Sequence, residues 1–147
     1  MKSSLVRRKI QVDLTCPSCG QEEENIEHLF FKCKEAQLIW RASRLGFDFQ
    51  VGTPISFLHW WIKWLQEAPD RDSMLLVIAI LWVIWCNRNQ ALFHNKRHSV
   101  EESLSRVSQI LKELEVISRY ANYGHGDQSE ITFDSNLHRS QMGTQGV

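Results

Sequence analysis

Apolar positions change their spacing several times along this chain, and each change marks an element. From Asn25 onward, Ile26, Leu29, Phe30, Ala36, Ile39, Trp40 and Leu45 recur three or four residues apart, which predicts helix over about 27–45. Gly46 suits its C-terminal cap. A loop with Gly52 and Pro54 follows. Residues 55–67 carry Phe57, Leu58, Trp60, Trp61, Trp64 and Leu65, an apolar face wide enough for a buried helix. Ala68-Pro69 is a stop signal, and Asp70-Arg71-Asp72-Ser73 is a helix start. Residues 74–86 are apolar almost without interruption. A bilayer span needs about 20 such residues, so the run reads as a core helix that continues through Asn87, Arg88 and Asn89 to about His94. Ser99 and Glu102 have capping-box spacing. Val100, Leu104, Val107, Leu111 and Leu114 then step by four and three, an amphipathic helix too short to define a coiled coil. The expected helices lie near 34–45, 55–67, 73–94 and 99–121, an all-α fold. From about Asn122 the chain is polar and carries Gly124, Gly126, Gly143 and Gly146, the composition of a disordered tail.

Charge and length narrow the picture modestly. A chain of 147 residues fits one ordinary domain and can bury a real core. Seventeen basic residues balance seventeen acidic ones, so net charge steers the chain toward neither nucleic acid nor membrane. The balance is also local. Lys2, Arg7, Arg8, Lys9 and Lys32 face Asp13, Glu22, Glu23, Glu24 and Glu27 within residues 1–33.

The chemistry concentrates in Cys16, Cys19, His28 and Cys33. Cys16-Pro17-Ser18-Cys19 is followed after eight residues by His28 and after four more by Cys33. Three thiolates and one imidazole form a complete tetrahedral ligand set for zinc, and a set supplied wholly by protein is structural rather than catalytic. Pro17 and Gly20 favour a tight turn, a knuckle whose backbone N–H groups point at the sulfurs. One geometric demand follows. His28 and Cys33, five apart, would stand about 140° apart around a straight α-helix. Both reach one metal only if the helix breaks or changes pitch between them, so a short helical turn at His28 and a second helix from near Lys34 are expected. Glu27 is a candidate to orient the His28 ring, and residues 22–24 read as a solvated acidic loop. Cys86 lies in the apolar helix as a core residue. His59, His94 and His98 read as surface or boundary residues, and the tryptophans as core rather than base-stacking platforms. Met1 to Gln11 is basic without the apolar stretch of a secretory signal. Together with the uneven cysteine count, this points to a reducing intracellular compartment, cytoplasm or nucleus.

Cys16-Pro-Ser-Cys19-Gly-Gln-Glu-Glu-Glu24-Asn-Ile-Glu27-His28-Leu-Phe30-Phe-Lys-Cys33, with Ala36 and Trp40 beyond it, resembles the zinc-binding domain that follows the polymerase in plant non-LTR (LINE-type) retrotransposon reverse transcriptases. Downstream, Trp85-Cys-Asn-Arg88-Asn89-Gln-Ala-Leu-Phe93 resembles a Trp-x-x-Arg-Asn-x-x-x-Phe helix of the same polyproteins, and Leu5-Val-Arg-Arg8-Lys-Ile10 resembles their lead-in. The family's Trp-rich segment before the lead-in is missing, Lys34 and Glu35 stand where Pro and Phe often follow the last cysteine, and no Tyr-x-Asp-Asp polymerase signature occurs. The resemblance therefore implies an N-terminally truncated fragment.

These readings divide the chain into a lead-in over 1–15, a reverse-transcriptase zinc-binding-like domain over 16–95 with its knuckle at 16–33, an amphipathic helix over 96–121 and a tail over 122–147. The expected function is a structural Zn2+ module without catalytic activity. It would assist binding of RNA or single-stranded nucleic acid, with Arg7, Arg8 and Lys9 as contacts, or dock on reverse transcriptase domains of a parent polyprotein. No membrane partner is expected. The competing reading is a helical protein-interaction module that docks or self-associates through exposed faces of 55–67 and 99–121 without binding nucleic acid.

Overall fold

The backbone turns over at Cys33, and that turn orders the helices. A computed structural model describes residues 13–49, 56–67 and 70–123. A π-helical turn, His28–Lys32, ends where the Cys33 amide donates to the His28 carbonyl at 2.7 Å. Cys33 itself is extended, with φ −61° and ψ 127°, and is the N-cap of helix α1, Lys34–Ala42. Then come α2, Phe57–Glu67, α3, Arg71–His94, and α4, Val100–Tyr123. The described residues contain no strand, only one antiparallel bridge between Thr15 and Glu23. The all-α expectation holds, with the cysteine–histidine cluster near the N-terminus. The lead-in through residue 12, the loop with Gly52 and Pro54, Ala68-Pro69 and the tail beyond Tyr123 lie outside the described residues.

Local chemistry accounts for the helix ends. Asp70 caps α3, its carboxylate accepting the Ser73 amide at 2.7 Å and the Ser73 hydroxyl at 2.9 Å, and these contacts hold its carboxyl below the usual range. The Ser99–Glu102 capping box forms reciprocally. The Ser99 amide donates to Glu102 Oε2 at 2.9 Å, and the Glu102 amide to Ser99 Oγ at 3.1 Å. Helix α1 stops at Ala42, short of the expected residue 45. Ser43 turns extended, with ψ 164°, and its hydroxyl donates to the Trp40 carbonyl at 2.7 Å. Gly46 takes a left-handed φ of +60°, but it serves the turn after the helix, its amide reaching the Ser43 carbonyl at 3.1 Å.

The chain divides into two compact units, Met1–Glu113 and Leu114–Val147. The core of the first is built on α1 and α3. Leu29, Phe31, Ala36, Ile39 and Trp40 are buried together with Leu76, Val77, Ala79, Ile80, Val83 and Ile84, and Val107 of α4 joins the same cluster. Phe31, Trp40, Phe47, Phe49 and Trp60 interlock as a set of edge-on and tilted rings with centroids 4.5–6.3 Å apart, the geometry that ring quadrupoles favour. By length and composition α3, with 24 residues, is long and apolar enough to cross a membrane. Its buried stripe is that of a core helix. Helix α2 departs from expectation. None of its side chains is fully buried. Trp60, Trp61 and Trp64 pack on the core half-buried, while Leu58, Ile62 and Leu65 face outward. Cys86 is likewise half-buried. In the second unit, Val116, Ile117 and Tyr120 on the last turns of α4 are exposed.

Candidate metal centre

The knuckle is closed by its own backbone. The Gly20 amide donates to the Cys16 carbonyl at 2.8 Å, and Gly20 adopts φ +68°, a conformation that costs glycine little. The Cys16 amide donates to the Glu22 carbonyl and the Glu24 amide to the Leu14 carbonyl, both at 2.8 Å. These bonds fold residues 14–24 back on themselves and set Cys16 and Cys19 side by side.

His28 and Cys33 arrive from the other direction. The hydrogen bond across the π-turn spans five residues rather than four, which brings positions five apart toward one side. The extended Cys33 then aims its sulfur inward. Cys16 Sγ, Cys19 Sγ, Cys33 Sγ and a ring nitrogen of His28 lie within 4.8 Å of one another, and all four residues are buried. None of the cysteines forms a disulfide. His28 Nε2 is 3.4 Å from Cys19 Sγ, and Nδ1 donates to Glu22 Oε2 at 3.1 Å.

The electrostatics of the cluster call for a cation. The contact with Cys33 lowers the Cys16 thiol to about 3 against the opposing effect of burial, helped by His28 and by the amides of Cys19 and Ser18. The same Cys16 sulfur, together with burial, pushes the Cys33 thiol up, while the amides of Glu35 and Ala36 pull the other way. His28 is raised to about 9, first by its hydrogen bond to Cys16 and then by Cys19, with burial opposing. Three sulfurs this close cannot all be negative unless positive charge sits among them. A divalent ion supplies that charge, and soft thiolates with one imidazole suit zinc.

Residues 1–40 match the family model described as zinc-binding in reverse transcriptase. No curated protein and no solved structure matches the chain. The match ends at Trp40, so it takes in the lead-in, the whole cluster and α1 almost to its end. The segment around Trp85–Phe93 falls outside it. Cluster and match together support a zinc-binding module.

Two acidic residues behave differently from expectation. Glu27 does not orient His28; its Oε1 accepts the Phe57 amide, the first of α2, at 3.4 Å. Glu22 holds the ring instead. Nor are residues 22–24 a solvated loop throughout. Glu24 is 0% exposed and takes both arms of Arg88, Nε to Oε2 at 2.8 Å and Nη2 to Oε1 at 2.9 Å. The cause is the bridge at Glu23. In extended backbone successive side chains point to opposite faces, so Glu23 faces solvent while Glu24 turns inward. A sequence signal for Arg88 existed. It continues the buried stripe Val77, Ile80, Ile84 at helical spacing, and a charge on a core stripe requires a partner. Arg7, Arg8 and Lys9 lie outside the described residues.

Proposed function

We propose that Cys16, Cys19, His28 and Cys33 bind one zinc ion in a closed structural site. The module is of the kind found in plant non-LTR retrotransposon reverse transcriptases and acts as a non-catalytic element that helps hold RNA or single-stranded nucleic acid. The observation that carries the metal reading is the convergence of four buried ligand atoms within 4.8 Å. A tetrahedron with Zn–S bonds of about 2.3 Å has its ligand atoms about 3.8 Å apart, so small side-chain rotations complete it. With all four positions filled by protein, zinc supplies folding energy rather than an activated water.

Nucleic-acid binding is supported by the family match over residues 1–40 and by the basic run Arg7-Arg8-Lys9, which precedes the knuckle in sequence. Titration of single-stranded RNA at low salt, where phosphate contacts are strongest, tests it. Binding that weakens with salt and is lost when Arg7→Ala, Arg8→Ala and Lys9→Ala are combined supports the reading. Absence of binding at low salt removes it.

One observation favours a protein-interaction module instead. Leu58 on α2 is 64% exposed, with Ile62 and Leu65 exposed beside it. Self-association in light scattering, with no RNA binding, would decide for that alternative.

A further inference from the structure

We propose that Glu22 is the positioning residue that selects Nε2, rather than Nδ1, as the metal-binding nitrogen of His28. The inference rests on the zinc reading above. An imidazole can serve a metal through either nitrogen, and the hydrogen bond made by the other nitrogen sets which one does so. The His28 side chain is 3% exposed, so solvent can do little to fix the ring. Its Nδ1 donates to Glu22 Oε2 at 3.1 Å, while Nε2 faces the sulfurs, 3.4 Å from Cys19 Sγ. Flipping the ring would break the carboxylate contact and leave a buried N–H without an acceptor.

The carboxylate is itself held in place by the knuckle. The Glu22 carbonyl accepts the Cys16 amide at 2.8 Å, so the backbone that carries the carboxylate is tied to the first ligand. A continuous circuit results: Cys16 amide to Glu22 carbonyl, Glu22 carboxylate to His28 Nδ1, His28 Nε2 to Cys19 Sγ. Glu22 thereby couples the cysteine turn to the π-turn before any metal enters. Its side chain is 63% exposed, so its removal leaves the core intact.

The test measures zinc affinity of the full chain by chelator competition at fixed pH, alongside 15N spectra of the His28 ring. Glu22→Ala should weaken zinc binding about 10–100-fold and abolish the protected Nδ1–H signal. Glu22→Gln, whose amide oxygen still accepts that proton, should recover most of the affinity and the signal. Glu23→Ala, which removes the same charge from the neighbouring exposed position, should change neither. Zinc affinity of Glu22→Ala within about twofold of wild type, or an equal loss in Glu23→Ala, overturns the role given to Glu22 while leaving the zinc site standing. A wild-type protein that takes up no zinc overturns the zinc reading and this inference with it.

Discussion

Arg88 clasps Glu24 across 64 positions of sequence, with both side chains almost wholly withdrawn from solvent. The guanidinium also lies 5.6 Å from the Trp85 ring centroid and donates through Nη1 to Asn89 Oδ1 at 3.0 Å. The two-armed pairing fixes the orientation of both partners. Glu24 stands between the cysteine turn and the π-turn, and Arg88 stands on the core face of α3. The pair therefore fastens the knuckle to the core face of α3.

Breaking this pair should cost more than any exposed ion pair in the molecule. Arg88→Met takes the guanidinium away from a buried carboxylate, and a loss of about 3–5 kcal/mol is expected from urea unfolding. Arg88→Lys should recover only part, because an ammonium cannot reproduce the two parallel bonds. The double variant Arg88→Met with Glu24→Gln should be less destabilised than Arg88→Met alone, since the buried negative charge goes together with the guanidinium. Near-wild-type stability for Arg88→Met would show that the clasp is dispensable.

Much of this arrangement was legible in the sequence. The helices followed from spacing and caps, save for the end of α1 at Ala42, and Asp70, Ser99 and Glu102 behave as their positions foretold. The demand for a change of pitch between His28 and Cys33 was a consequence of helix geometry, and the π-turn meets it. What stayed hidden was long-range. Nothing in Glu22-Glu23-Glu24 says that the third carboxylate is buried, because the bridge between Thr15 and Glu23 is set by the folded turn. The partial exposure of α2 was hidden for a similar reason. An apolar face records that burial is favourable, not how much covering surface the rest of the chain provides.

Metal content is the most direct prediction. Purified protein should carry one zinc ion per chain, and Cys33→Ser should lower this sharply. Structural zinc in small domains contributes about 10–16 kcal/mol of apparent binding energy at neutral pH, as much as the whole stability of many domains. Strong chelation should therefore lower or erase the thermal transition. An unchanged melting curve after demonstrated metal removal would contradict a structural role.

Trp40 offers a check on how α1 is joined to the π-turn. It is 0% exposed, and its Nε1 donates to the Phe30 carbonyl at 2.7 Å. Trp40→Phe keeps most of the apolar contact but leaves that carbonyl unpaired, for an expected loss of about 1–3 kcal/mol. Trp40→Ala adds a cavity, for about 3–5 kcal/mol. Near-wild-type stability for Trp40→Phe, with Trp40→Ala still costly, would show that packing alone, and not the indole N–H, secures the junction.

Zinc uptake should release protons, and the site indicates which ones. Ligands must be deprotonated to bind the metal. His28, raised to about 9 by Cys16 and Cys19, holds its ring proton at neutral pH. Cys33, pushed up by Cys16 and by burial, remains a thiol there. Cys16, lowered to about 3, is already a thiolate and contributes none. At pH 7 His28 and Cys33 should therefore be among the ligands that give up a proton on binding. Protons compete with the metal for these groups, so apparent affinity should rise as pH climbs toward about 9 and fall as the solution is acidified. Calorimetry in buffers of differing ionisation enthalpy counts the protons, and chelator competition at several pH values gives the slope. A pH-independent affinity, or release of fewer than two protons, would mean that His28 or Cys33 enters the complex already deprotonated, against the charge arrangement described for the metal-free cluster.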